Sequence, residues 1–101
     1  LDKETSGLLV AAKNPIAHQK LVEMFATRQI EKEYLAVCIG NPGKREIDAP
    51  IGRHPVHRKM MAIVEGAKRA ITQVSPLGHT DQLSLVKILL LTGRTHQIRV
   101  H

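Results

Sequence analysis

The chain has 101 residues, room for one small domain. Its 15 Lys and Arg against 9 Asp and Glu give a formal charge of +6, and 43% hydrophobic residues exclude a disordered polymer. No apolar run approaches the ~18 residues of a membrane span, and the aromatics, Phe25 and Tyr34, are too few for an RNA-binding sheet that stacks several bases.

Gly7 to Ala12 is a short apolar run bounded by a glycine and by Asn14-Pro15, which predicts a buried strand. Asn14 suits an N-cap and Pro15 the first helical position. Ile16, Lys20-Leu21, Met24 and Phe25 then recur at three-to-four spacing, which predicts a helix over about 15–27. Glu31 to Ile39 alternates as a strand does, with Leu35, Val37 and Ile39 on one face and Lys32, Tyr34, Ala36 and Cys38 on the other. A turn cluster at 40–44 and a short extended piece at 46–48 follow. Ala49 to Lys59 holds two prolines and the basic Arg53, Arg58 and Lys59, which predicts a mostly irregular, exposed loop able to touch phosphates. Met60–Val64, Ala70–Val74 and Gln82–Leu91 read as three further strands, with 76–81 as a separator; the last is nearly all apolar and is expected to be central and covered on both faces. Thr92-Gly93-Arg94-Thr95 turns the chain into the start of a helix at His96–His101.

The charge is unevenly placed. Residues 1–50 hold seven Lys/Arg and seven Asp/Glu, whereas 51–101 hold eight against two, so the second half carries the whole excess. A one-sided basic field suits a polyanion, because each neutralised phosphate releases counterions; a solvated basic surface is the plainer reading. Cys38 is the only cysteine, which excludes an intramolecular disulfide and a zinc site of paired cysteines and fits a reducing, intracellular setting. The His54/His57 and His96/His101 spacings lack the carboxylates or thiols that complete a metal site, so no metal is expected and these histidines are read as surface or RNA-facing.

Single residues carry little alone. Asp2, in a polar turn, has the chemistry of a nucleophile or base, although most such residues only cap backbone amides. Tyr34 could stack on a planar ring or move a proton, and is equally a packing residue. Arg94 could hold a carboxylate ionised, or lie at the surface.

Three blocks together say more. Leu1-Asp2-Lys3-Glu4-Thr5-Ser6-Gly7-Leu8-Leu9-Val10, Lys32-Glu33-Tyr34-Leu35-Ala36 and Leu91-Thr92-Gly93-Arg94-Thr95-His96-Gln97-Ile98-Arg99-Val100-His101 resemble, in order, the signature motifs of the RluA-type pseudouridine synthases. Ile51-Gly52-Arg53-His54-Pro55 and Lys68-Arg69-Ala70-Ile71-Thr72 also resemble the family, above all its RluD-like members acting on large-subunit ribosomal RNA. The resemblance implies an α+β fold, a mostly antiparallel mixed sheet with a flanking helix. Because the family's motifs extend beyond both ends, residues 1–101 are expected to be a partial catalytic domain, truncated at both ends.

The implied activity is that of an isomerase without a cofactor: a uridine in folded RNA is flipped out, its N-glycosidic bond broken, and the base rotated and rejoined through carbon. Asp2 matches the family's essential aspartate, which attacks the ribose or removes its C2′ proton. Tyr34 matches the tyrosine that packs on uracil and takes the C5 proton, and Arg94 the arginine that pairs with the aspartate. Arg53, His54, Arg58, Lys59 and Arg99 are the candidate RNA-backbone contacts, from charge and loop context. The expected partner is ribosomal RNA, with transfer RNA second, for a cytoplasmic monomer without membrane association. Two competing readings are a non-catalytic RNA-binding piece and a hydrolase that uses Asp2 with a histidine to release free uracil.

Overall fold

A computed structural model describes residues 1–101, which divide into two compact units, 1–30 and 31–101. The first contains helix α1, Pro15–Ala26. The Asn14 side chain accepts the Ala17 N–H at 2.8 Å, Pro15 occupies the first turn, and the Thr27 N–H closes the helix on the Glu23 carbonyl at 2.9 Å. This is the predicted helix, cap included. Its sheltered stripe is Ala17, Leu21 and Met24, one heptad of positions, while Ile16 and Phe25 are exposed. Residues 8–12 correct the sequence reading: they join no sheet, and Leu8 and Leu9 are 98% and 81% exposed. Apolar composition marks a segment fit for a sheet, but a strand exists only where a neighbour takes its backbone hydrogen bonds.

The second unit carries an antiparallel four-stranded sheet in the order β1-β6-β5-β2 and a hairpin, β3–β4. Strand β1 (Glu33–Ile39) pairs with β6 (Leu83–Leu90) so that Tyr34 lies opposite Ile88. Strand β2 (Arg45–Asp48) flanks β5 (Ile71–His79), which in turn pairs with β6, Val74 opposite Ile88. The buried centre is Val74, Val86 and Ile88, ringed by Tyr34, Ala36, Cys38, Ile47, Leu90 and Ile98. Ile98 belongs to the short helix α2 (Gln97–Val100), so packing in this cluster fastens α2 to the sheet. No helix is long and apolar enough to cross a membrane.

Three expectations change here. Strand β6 is central, but only one face is covered: Ser84, Val86 and Ile88 are buried, while Leu83, Leu85 and Lys87 face outward. Strand β5 runs on through Pro76 to His79, where a separator was expected: Pro76 stays in register opposite Val86, and a bulge at Leu77 lets the ladder resume at Gly78. The stretch 49–59 contains strand β3 (Ile51–Arg53), paired with β4 (Met61–Ile63); Pro50 and Pro55 lie outside β3 and leave its donors intact.

Candidate active site

At the end of β6 the chain turns through Thr92–Thr95 into α2, and one buried side chain organises that turn. Gln97 is 2% exposed and spends its whole carboxamide on protein partners. Its Oε1 accepts the Thr92 hydroxyl at 2.8 Å and the Arg94 N–H at 3.0 Å. Its Nε2 donates to the Ile71 carbonyl at 3.0 Å and to Thr72 Oγ1 at 2.9 Å. The Thr92 hydroxyl in turn accepts the Ile71 N–H at 2.9 Å. The expectation that His101 faces solvent or RNA fails. The ring is half-buried, with Nδ1 2.8 Å from Thr72 Oγ1 and Nε2 2.9 Å from the Ala49 carbonyl. A carbonyl only accepts, so Nε2 carries the proton.

Arg94 leaves this turn half-buried, its Nε donating to the Arg69 carbonyl at 2.8 Å. It lines a cleft of about 420 Å³ together with Gly93, Thr95, Ile51, Gly52, Arg53, Met61, Ala67 and Lys68. Three cations, Arg53, Lys68 and Arg94, therefore share one concave surface. A Cβ on Gly52 would stand 2.8 Å from that of Ala67, so glycine lets the cleft wall close up. Lys32 adds a fourth cation nearby: its Nζ lies 3.2 Å from where a Cβ on Gly93 would be.

Arg69 itself is held outside the cleft by Asp48, with Nε and Nη2 on the carboxylate at distances down to 2.7 Å. Chiefly through that hydrogen bond, the Asp48 carboxyl is held below its ordinary pKa.

Of the residues singled out from sequence, Arg53 and Arg94 meet at the cleft. Tyr34 lies on the half-buried face of β1, as does Lys32 beside its start, and packs against the Val74, Val86 and Ile88 cluster. Asp2 opens the expected polar turn in the first unit, closed by the Thr5 N–H on its carbonyl at 3.0 Å. Arg58 and Lys59 are exposed in the β3–β4 connection, where the Arg58 carbonyl accepts from Arg53 Nη1 at 3.1 Å. His54 Nδ1 accepts the N–H groups of Val56 and His57 at 3.1 and 3.0 Å, so this ring folds the connection and offers only Nε2–H outward. Arg99 is exposed in the last turn of α2. Gln97, Thr72, Thr92 and Lys68 were not foreseen as site residues. Gln97 and Thr92 stand inside the third signature block, which was the one sequence signal available for them.

Comparison with known proteins places these features in context. The sequence profile described as RNA pseudouridylate synthase matches residues 1–101. The ribosomal large subunit pseudouridine synthase D of Nitrosomonas europaea is 46% identical over 102 residues, covering all of this chain and 30% of that protein. Its namesake in Escherichia coli is 44% identical, again over all of this chain and 31% of the relative. Among solved structures, Human RNA Pseudouridylate Synthase Domain Containing 1 superimposes with a TM-score of 0.76 at 32% identity, over 88% of this chain and 42% of that one. The chain thus spans about a third of the length of the curated relatives it matches.

Proposed function

The chain belongs to the RNA pseudouridylate synthase family, and from that membership we propose that it serves in the conversion of uridine to pseudouridine in RNA. The 101 residues then form the central part of the catalytic domain of an isomerase that works without a cofactor, as a cytoplasmic monomer. Large-subunit ribosomal RNA is the proposed substrate, on the strength of the names its relatives carry.

The observation that supports this most is the cationic cleft, in which Arg94 of the third signature block stands with Arg53 and Lys68. Extruding a nucleotide costs a few kcal/mol of stacking, and phosphate contacts from these groups offset it. Arg53, Arg58, Lys59 and Arg99 follow the backbone, and His54 contributes through Nε2–H. Asp2 acts on the ribose, as nucleophile at C1′ or as base at C2′, and the cleaved base stays in the site until it rejoins through C5. Tyr34, held by its packing on the sheet, stacks on uracil and takes the C5 proton. Arg94 is the cation that pairs with the reacting carboxylate, the role its place in the third signature block implies.

Tritium at C5 of uridine reports the reaction, because that hydrogen leaves to water when C5 bonds to the ribose. With ribosomal RNA the full-length protein is expected to release it and Asp2→Ala to release none. Free uracil would instead identify a hydrolase. Salt-dependent RNA binding with no tritium release from the parent would identify a non-catalytic RNA-binding protein. Transfer RNA in a parallel assay assigns the substrate.

A further inference from the structure

The carboxamide of Gln97 can be assigned in one orientation only. Its oxygen faces two donors, the Arg94 N–H and the Thr92 hydroxyl, and its nitrogen faces the Ile71 carbonyl and Thr72 Oγ1. A flipped amide would set oxygen against the Ile71 carbonyl. The direction continues outward: because Thr72 Oγ1 accepts from Gln97, its own proton is left for His101 Nδ1, and His101 Nε2–H donates to the Ala49 carbonyl. One ordered run of hydrogen bonds therefore joins Ala49, beside β2, to the backbone of Arg94.

Gln97 also grips Arg94 a second time, through its own N–H on the Arg94 carbonyl at 3.1 Å. Both backbone polar groups of Arg94 thus end on a single buried residue, while its Nε ends on the Arg69 carbonyl. We propose that Gln97 is a positioning residue for Arg94, fixing the direction in which the guanidinium enters the cleft, with Thr72, Thr92 and His101 locking the Gln97 amide. This rests on the reading of Arg94 as a group of the active site. Volume alone does not call for an amide here, since an apolar side chain would fill the same space; the Arg94 N–H and the Thr92 hydroxyl do, because they would lose their acceptor.

The test is steady-state tritium release by the full-length protein and by Gln97→Met, Arg94→Ala and the double variant. Misplacing a catalytic group by about 1 Å costs roughly 100-fold, so Gln97→Met is expected to lower kcat by about 10- to 100-fold with KM nearly unchanged. In the Arg94→Ala background the same change is expected to cost less than about twofold, because no guanidinium remains to be misplaced. If Gln97→Met fails to fold, Thr92→Val decides, since it removes one of the four bonds to the Gln97 carboxamide, along with the acceptor of the Ile71 N–H; a smaller kcat loss that vanishes on Arg94→Ala is then expected. An equal loss in both backgrounds, or parental kcat in the folded variant, overturns the positioning role while Arg94→Ala keeps a measurable but strongly reduced kcat. Parental kcat in Arg94→Ala overturns the active-site reading itself, and the positioning role with it.

Discussion

Arg69 joins two interactions that would otherwise be separate: its carbonyl accepts Arg94 Nε, and its guanidinium is paired with Asp48. The pair is exposed, so its stability contribution is small, but its titration is specific. With its pKa lowered in the folded state, Asp48 adds stability that is present above the unfolded value of about 3.9 and is lost as pH falls through the folded one. Carboxyl NMR is expected to find Asp48 titrating below an ordinary aspartate, and Arg69→Ala to return it to that range; an unshifted midpoint in the parent would refute the pairing. At this scale the sequence was informative where a block could be recognised and silent where a contact crossed the fold. Asp2, Tyr34 and Arg94 stand out through their motifs, whereas the bonds from Gln97 to Thr72 and from His101 to Ala49 span 25 and 52 positions. No spacing rule reaches that far, so His101 reads from sequence as one more basic surface group.

The hairpin β3–β4 shows how an element shapes the cleft. A Cβ on Gly52 would stand 2.8 Å from the Ala67 Cβ and 3.7 Å from that of Val64, and Ala67 offers only a rigid Cβ. Gly52→Ala is therefore expected to force the wall apart and to cost about 1–3 kcal/mol, seen as a lower urea midpoint, together with weaker RNA binding. Unchanged stability would show that the wall yields without strain. Elements with long, regular periodicity were legible: α1 with its Asn14 cap, the alternation of β1 and the central place of β6. Those whose signal was broken by proline were not. Strand β3 lies between Pro50 and Pro55, and β5 runs on past Pro76, paired opposite Val86, with a bulge beyond it at Leu77, which depends on a partner strand that local sequence does not reveal. Residues 8–12 failed in the opposite direction, since composition promised a ladder that no neighbour completes.

Over the whole molecule the charge lies mainly in one unit: residues 31–101 hold eleven Lys and Arg against six Asp and Glu. RNA affinity is expected to fall linearly with salt on logarithmic axes, and Arg53→Ala to reduce that slope by about 1, the signature of one lost phosphate contact. An unaltered slope would remove Arg53 from the interface. Strand β1 carries a different consequence. Its inward face is Tyr34, Ala36 and Cys38, yet its outward face, Leu35, Val37 and Ile39, is the greasier, at 66%, 68% and 93% exposure. A slip of one residue would exchange the two faces, and hydrophobic gain alone would favour the exchange. What selects the native alignment is then polar: the buried Ser84 hydroxyl on the Gly40 carbonyl at 2.6 Å, the Leu90 N–H on the Lys32 carbonyl at 3.0 Å, and the diagonal Glu33–Lys87 ion pair at 3.9 Å. Tyr34 faces the buried side of the sheet because a few hydrogen bonds decide an alignment that oil and water would have settled the other way.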